Sequence, residues 1–240
     1  MKIISIYGVA RQSGKTTIAE EMALISRKKG YKTLLVDLDI HDGDVTKRLQ
    51  LDPYPNISNW CEDIYRKSRK TSIINIEYDQ ANWQPFLQKH MSGLTVLATN
   101  TNPKLPYYGN IFYEIKIIYD SIRQSDFEVV IFDMGNDSSS FNYMILEESD
   151  YPVLVVDTFR YNVQALRNFL WDAQDVHFPV EKFKLLFNRE PTAIEELPEK
   201  VGQDFKLPVI GVLPEINHRE TMAPDEFNNK LSALLEAIMK

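Results

Sequence analysis

The chain has 240 residues, 44% of them hydrophobic and 25% charged, a balance that excludes a disordered chain and allows one substantial core. A net charge of −7 makes the whole surface a poor electrostatic match for nucleic acid or an anionic membrane. Cys61 is the only cysteine, so an intrachain disulfide and an iron–sulfur cluster held within one chain are excluded, and a reducing, cytoplasmic setting is expected. No signal peptide is expected, because IISIYGVA is too short and runs straight into SGKTT. No stretch approaches the ~18 apolar residues of a membrane span. His41, His90, His177 and His218 lack a second ligand at helical spacing and are expected to bind no metal.

In chain order, short apolar runs alternate with segments of helical period. The runs are IISIYGV (3–9), TLLVDLD (33–39), LTVLAT (94–99), EVVIFDM (128–134), PVLVVDT (152–158), FKLLFN (183–188) and PVIGVL (208–213). They are rich in Val, Ile and Leu without polar alternation, the mark of parallel strands covered on both faces. Helices are expected near 15–29, 111–124, 160–175, 194–204 and 225–239. This rhythm predicts an α/β fold: a doubly wound, mostly parallel sheet with helices on both faces. The stretch 52–92 is less legible. There 59–68 and 83–90 could be helices, and SIINIEY (72–78) an edge strand or hairpin arm. Without repeats or a linker, residues 1–240 read as one domain.

Three motifs carry the chemistry. SGKTT, Ser13 to Thr17, follows a predicted strand and opens a predicted helix, the context of a phosphate-binding loop. Helix-terminal amides and the helix dipole favour a phosphate. Lys15 would reach the β- and γ-phosphates, Thr16 would hold Mg²⁺, and Thr17 could bond the α-phosphate. The full GxxxxGK[ST] pattern needs glycine at position 9, where Val9 stands. VDLD then places Asp37 and Asp39 at the C-terminal edge of a parallel strand, where ligands bind. In an extended strand the two share one face, which suits one carboxylate near the metal and one near an attacking water. VVIFD, ending at Asp133, has the Walker B pattern of an apolar run closed by an acid. Its carboxylate would hold a Mg²⁺-bound water or Thr16.

The order of these motifs resembles the deviant Walker A ATPases of the ParA/MinD class. VDLDIHDGDVTKRLQLDP, GLTVLAT, FEVVIFDMGND and SDYPVLVVDT are similar to segments of its pilus-assembly branch, the CpaE/TadZ-like proteins. LLFNRE resembles the Asn-Arg motif whose asparagine faces the adenine, which implies Asn188 and Arg189 at the nucleotide. IGVLPEINHRETMA is similar to the segment that covers the base, which implies Pro214 and Glu215. The resemblance implies ATP/ADP and Mg²⁺ as cofactors and a face-to-face homodimer formed on ATP. It also implies a protein partner in a pilus- or secretion-type machine that the dimer positions and hydrolysis resets. On this reading the chain lacks the receiver-like module that often precedes the ATPase. It is cytoplasmic, reaching the inner membrane face only through a partner.

One departure stands out. The class reads Lys-Gly-Gly-x-Gly-Lys-Thr, whereas this chain reads Ala10-Arg11-Gln12-Ser13-Gly14-Lys15-Thr16. The lysine that crosses the dimer becomes Ala10, and Arg11 and Gln12 replace two glycines. Either Arg11 supplies the cation in trans, or it points to solvent and ATP turns over slowly. A scaffold with negligible hydrolysis and a partition- or division-type ATPase on DNA or membrane are the competing readings. Capsule-type tyrosine kinases usually end in a tyrosine cluster, and the last tyrosine here is Tyr161. The basic stretches 65–70 and 27–29 read as solvated helix faces. The apolar side of 225–239 reads as a helix packed on the sheet rather than a membrane tail.

Overall fold

The computed structural model describes residues 1–40, 43–99, 111–216 and 224–240. The strands among them are β1 (Lys2–Gly8), β2 (Thr33–Leu38), β3 (Gln88–Lys89), β4 (Thr95–Leu97), β5 (Val129–Met134), β6 (Tyr151–Val156), β7 (Lys184–Phe187) and β8 (Val209–Val212). They form one sheet in the order β3-β4-β2-β5-β1-β6-β7-β8. Every pairing is parallel except the β3–β4 edge. The order runs outward in both directions from β1, as expected of a doubly wound sheet. All seven apolar runs became strands.

Parity along each strand divides the core in two. Ile4, Ile6, Leu35, Val129 and Ile131 point to one face. There they pack on α1 (Lys15–Lys28), α2 (Asp44–Arg48) and α9 (Asp225–Met239). Tyr7, Leu34, Val36, Val130 and Phe132 point to the other. That face is covered by α3 (Ile57–Ser68), α4 (Gln80–Trp83), α5 (Phe112–Arg123), α6 (Ser140–Glu148), α7 (Arg160–Asp175) and α8 (Pro198–Phe205). With both faces buried, no polar alternation survives in the central strands.

The expected helices formed, with ends shifted by a few residues. The segment expected to begin at 194 starts its helix at Pro198, a residue suited to a helix's first turn. The apolar side of α9 is spent on the core: Phe227, Leu231, Leu235 and Ile238 are buried against the same layer as α1. Helix α6 had no counterpart in the sequence reading. Parallel strands of one sheet need a crossover, and the link from β5 to β6, on either side of β1, has to contain one.

The stretch 52–92 differs most from expectation. Residues 57–68 form α3, capped by the reciprocal Asn56–Asn59 box. SIINIEY is not an edge strand: Ile73–Asn75 make a 3₁₀ turn. Ile76 and Tyr78 are buried, and Trp60 meets Tyr78 edge-on, so the segment packs rather than pairs. The edge pairing falls to Gln88–Lys89, which turns into β4 through His90–Gly93, with Gly93 at φ +82°. The helix expected over 83–90 does not form: α4 ends at Trp83, Gln84–Phe86 is 3₁₀ around Pro85, and Gln88–Lys89 is strand β3.

Trp83 and Trp60 stack at 5.1 Å with 10° between planes, and both are fully buried. This pair anchors the insertion to the sheet. Trp83→Ala is expected to lower stability by about 3–5 kcal/mol in denaturant titration. A loss below 1 kcal/mol would show that the stack is not part of the cooperative core.

Candidate nucleotide site

β1 ends at Gly8, and residues 9–14 carry the chain into α1. A β-carbon at Gly8 would lie 2.3 Å from the Ser13 hydroxyl oxygen. The loop therefore folds back onto the strand end, and the close approach falls at Gly8 rather than at the motif's position 9. Gly14 is the N-cap of α1 at φ +86°, a conformation that favours glycine. No side chain caps the helix, and its first turn holds no acid. The first N–H groups of α1 are thus left for a ligand, with the positive end of the dipole behind them.

Gln12, where the class has a glycine, holds a left-handed backbone at φ +59°. That conformation costs a side-chain-bearing residue about 1–2 kcal/mol. Ala10 is buried, whereas Arg11 and Gln12 are exposed. Arg11 makes no ion pair among the described residues. Exposure in a single chain is compatible with both roles expected for it.

The acids assemble by register. Asp37 and Asp133 are direct partners in the β2–β5 ladder. Both have the parity of Leu35 and Ile131, so both face the α1 side. β2 ends at Leu38, and Asp39 lies just beyond it. Its N–H donates to Asp37 Oδ1 at 3.1 Å. Its Oδ2 accepts from Lys15 Nζ at 2.6 Å, and both side chains are largely buried. Lys15, Asp37, Asp39 and Asp133 thus lie together, with the Thr16 hydroxyl near Asp133. A β-carbon at Gly135 would come 3.9 Å from Asp39 Oδ1 and 2.7 Å from Asp137 Oδ1. The loop after β5 thus walls the site. Asn142 Nδ2 donates to Asp137 Oδ1 at 2.9 Å and so holds that loop, a role hidden in the sequence because α6 was.

One lysine answers three carboxylates. Burial opposes the Lys15 charge, but Asp133, Asp39 and Asp37 outweigh it and raise its pKa. Burial pushes the Asp37 carboxyl well above its usual range, and the neighbouring Asp133 and Asp39 push it further. Asp133 rises to about 7, again mainly by burial; Lys15 and the nearby Thr16 hydroxyl restrain it. Neither Asp133 oxygen, nor Asp37 Oδ2, accepts a hydrogen bond of ordinary geometry. Buried acceptors without donors await a partner. Two carboxylates and a hydroxyl offer only hard oxygens, and few of them, which suits Mg²⁺ completed by water and phosphate. Among the described residues no cluster of three or more His, Cys, Asp or Glu is placed to hold a metal on its own.

The remaining residues lie along the β6–β8 side. Asn188 N–H donates to Val156 O, and Leu213 N–H to Phe187 O, which brings Pro214 and Glu215 beside the end of β7. Asn188 reaches the phosphate loop: a β-carbon at Gly14 would lie 2.1 Å from its Nδ2. Arg189, expected at the nucleotide, makes its contacts within the chain. It donates to Glu195 Oε1, lies 3.5 Å from Asp157 Oδ2, and stacks 3.9 Å over the Phe159 ring. Held by Arg189, by the Thr192 N–H and by the Thr158 hydroxyl, Glu195 drops to about 2.

A doubly wound sheet with a phosphate-type loop after its central strand β1, and paired acids on the adjoining β5 and on β2 beyond it, is the fold of ParA/MinD P-loop nucleoside triphosphatases. Residues 1–183 match the AAA_31 family, described as an AAA domain, and the chain belongs to that family. The ParA family ATPase of Chlorobium tepidum TLS superposes with a TM-score of 0.77 at 14% identity, over 100% of this chain and 98% of that one. The septum site-determining protein MinD of Pyrococcus horikoshii OT3, complexed with Mg-ADP, gives a TM-score of 0.71 at 13% identity, over 99% and 95%. The uncharacterized protein MJECL24 of Methanocaldococcus jannaschii is 26% identical over 230 residues, covering 89% of this chain and 85% of that one.

The raised carboxyl groups set a pH dependence. A carboxyl whose folded pKa exceeds its unfolded value binds more protons folded than unfolded between the two. Stability then falls as pH rises from about 4 through about 7. Asp133→Asn removes that loss. In chelator without nucleotide, it should stabilise the protein by about 2–4 kcal/mol at pH 8 and little at pH 4. Equal effects at both pH values in thermal melts would contradict the burial of an uncompensated Asp133.

Proposed function

We propose that the protein binds ATP with Mg²⁺ and hydrolyses it slowly. The observation that carries this reading is the Lys15–Asp39 pair beside the donor-less oxygens of Asp37 and Asp133, at the open N-terminus of α1. Lys15 and the loop amides of Gln12 to Thr17 would neutralise and orient the triphosphate. Thr16, Asp37 and Asp133 would hold the metal, whose charge offsets that of the phosphates. As the γ-phosphate draws Lys15 away, Asp39 would be freed to orient a water in line with it. Asn188, Pro214 and Glu215 flank the place for the base.

ATP-bound chains would pair face to face and position a partner machine, of pilus or secretion type by the sequence resemblance, in the cytoplasm or beneath a membrane. Likeness to both ParA and MinD structures leaves partition or division roles as members of the same class. With Ala10 where the class carries its dimer-crossing lysine, turnover would be slow, and in the limit the protein would be a nucleotide-responsive scaffold.

Lys15→Ala should weaken ATP binding by at least about a hundredfold in calorimetry, the loss of a charge-assisted contact in a desolvated site. Unchanged affinity would remove the site. Asp39→Ala should keep ATP affinity within a few-fold, lose about a hundredfold in phosphate release, and enrich an ATP-dependent dimer in sedimentation. Turnover equal to wild type would show that Asp39 does not orient the water. Arg11→Ala separates the two roles of that residue. Turnover reduced only where dimers form places Arg11 in trans, and unchanged turnover leaves it in solvent.

A further inference from the structure

Glu195 sits seven residues beyond Asn188, in a loop with no regular structure, yet its side chain is 91% covered, with 9% exposed. Its two oxygens tie three residues of two segments. Oε1 accepts from Arg189, and Oε2 accepts from the Thr192 N–H and the Thr158 hydroxyl, each at 2.9 Å. On its other sides Arg189 has Asp157 Oδ2 at 3.5 Å, an ion pair without a hydrogen bond, and the face of Phe159. Phe159 N–H in turn donates to Asp157 Oδ1 at 2.6 Å. The cluster therefore joins the end of β6 to the loop after β7. A planar guanidinium held between two carboxylates and a ring has little freedom. The next residue back is Asn188, whose side chain lies against Gly14.

We propose that Glu195 is a positioning residue for the nucleotide site. Through Arg189 it holds Asn188 against Gly14 and so braces the phosphate loop from the β7 side. The loop needs such support. Gly14 and Gln12 both hold left-handed backbone, and no side chain caps α1. Arg189 then serves the nucleotide without touching it. The part of this inference that concerns ATP affinity rests on the function proposed above; the bracing does not.

Two measurements separate these parts. In the nucleotide-free protein, hydrogen exchange over residues 9–17 should speed up about tenfold in Glu195→Ala and in Asn188→Ala, with no further gain in the double variant. Glu195→Gln, which keeps acceptors for Thr158 and Thr192 but loses the charge facing Arg189, should fall between wild type and alanine. It also serves if the alanine variant folds poorly. With Mg²⁺ and ATP, calorimetry should show the same order, with about a tenfold loss for Glu195→Ala that is absent in the Asn188→Ala background. Exchange over 9–17 unchanged in Glu195→Ala and Glu195→Gln, or effects of Glu195 and Asn188 that multiply, would overturn the inference. No ATP binding by the wild type, with the exchange result intact, would overturn the proposed function and leave the brace standing.

Discussion

Asp37 and Asp133 lie side by side in a fully buried parallel ladder, and much of the site follows from that pairing. Burial away from solvent is costly for a carboxylate, so both carboxyls are driven up, Asp37 further by its acidic neighbours, and a cation is favoured near them. Lys15 provides part of the answer, and it is shared with Asp39. The incomplete balance is what makes the cleft a site rather than a core. A hydrophobic pair at 37 and 133 would suit the ligand-free fold better and would leave nothing for a metal and a triphosphate to complete.

The rest of the architecture keeps this arrangement rigid. β1, β2 and β5 are central strands, covered on both faces, so the acids and the start of the phosphate loop share one inflexible floor. α1 crosses that floor with Thr16 in its first turn. The aromatic stack of Trp60, Trp83 and Phe86 secures the long insertion to the opposite face, away from α1. The walls come from loops: the Asp137–Asn142 contact after β5, and the Arg189–Glu195 cluster after β7. A rigid floor with walls made of loops allows a site to be changed without altering the fold.

Much of the fold was legible because burial on both faces leaves unbroken apolar runs, and a parallel sheet forces helices between them. The insertion at 52–92 was not, because SIINIEY has the composition of a strand while its course is set by packing on Trp60. Nor was α6, whose apolar residues alternate irregularly with Ser, Asn and Tyr. The phosphate loop and the acids could be read from their types and order. The bracing role of Glu195 could not, since nothing local distinguishes that glutamate from Glu196 beside it.

The sequence by itself determined the alternation of strands and helices, the phosphate-loop lysine and threonine, and the acids that close two strands. These are local consequences of hydrophobicity, spacing and side-chain chemistry. Tertiary structure alone decided which acids meet. Register puts Asp37 opposite Asp133, the turn after β2 aims Asp39 at Lys15, and the parallel pairing of β7 with β6, itself beside β1, brings Asn188 to Gly14. It also decided that Arg189 lies between Glu195 and Asp157 of its own chain and that Arg11 is exposed in the single chain. Contacts between distant segments depend on how strands pair and helices pack, and no local pattern records that.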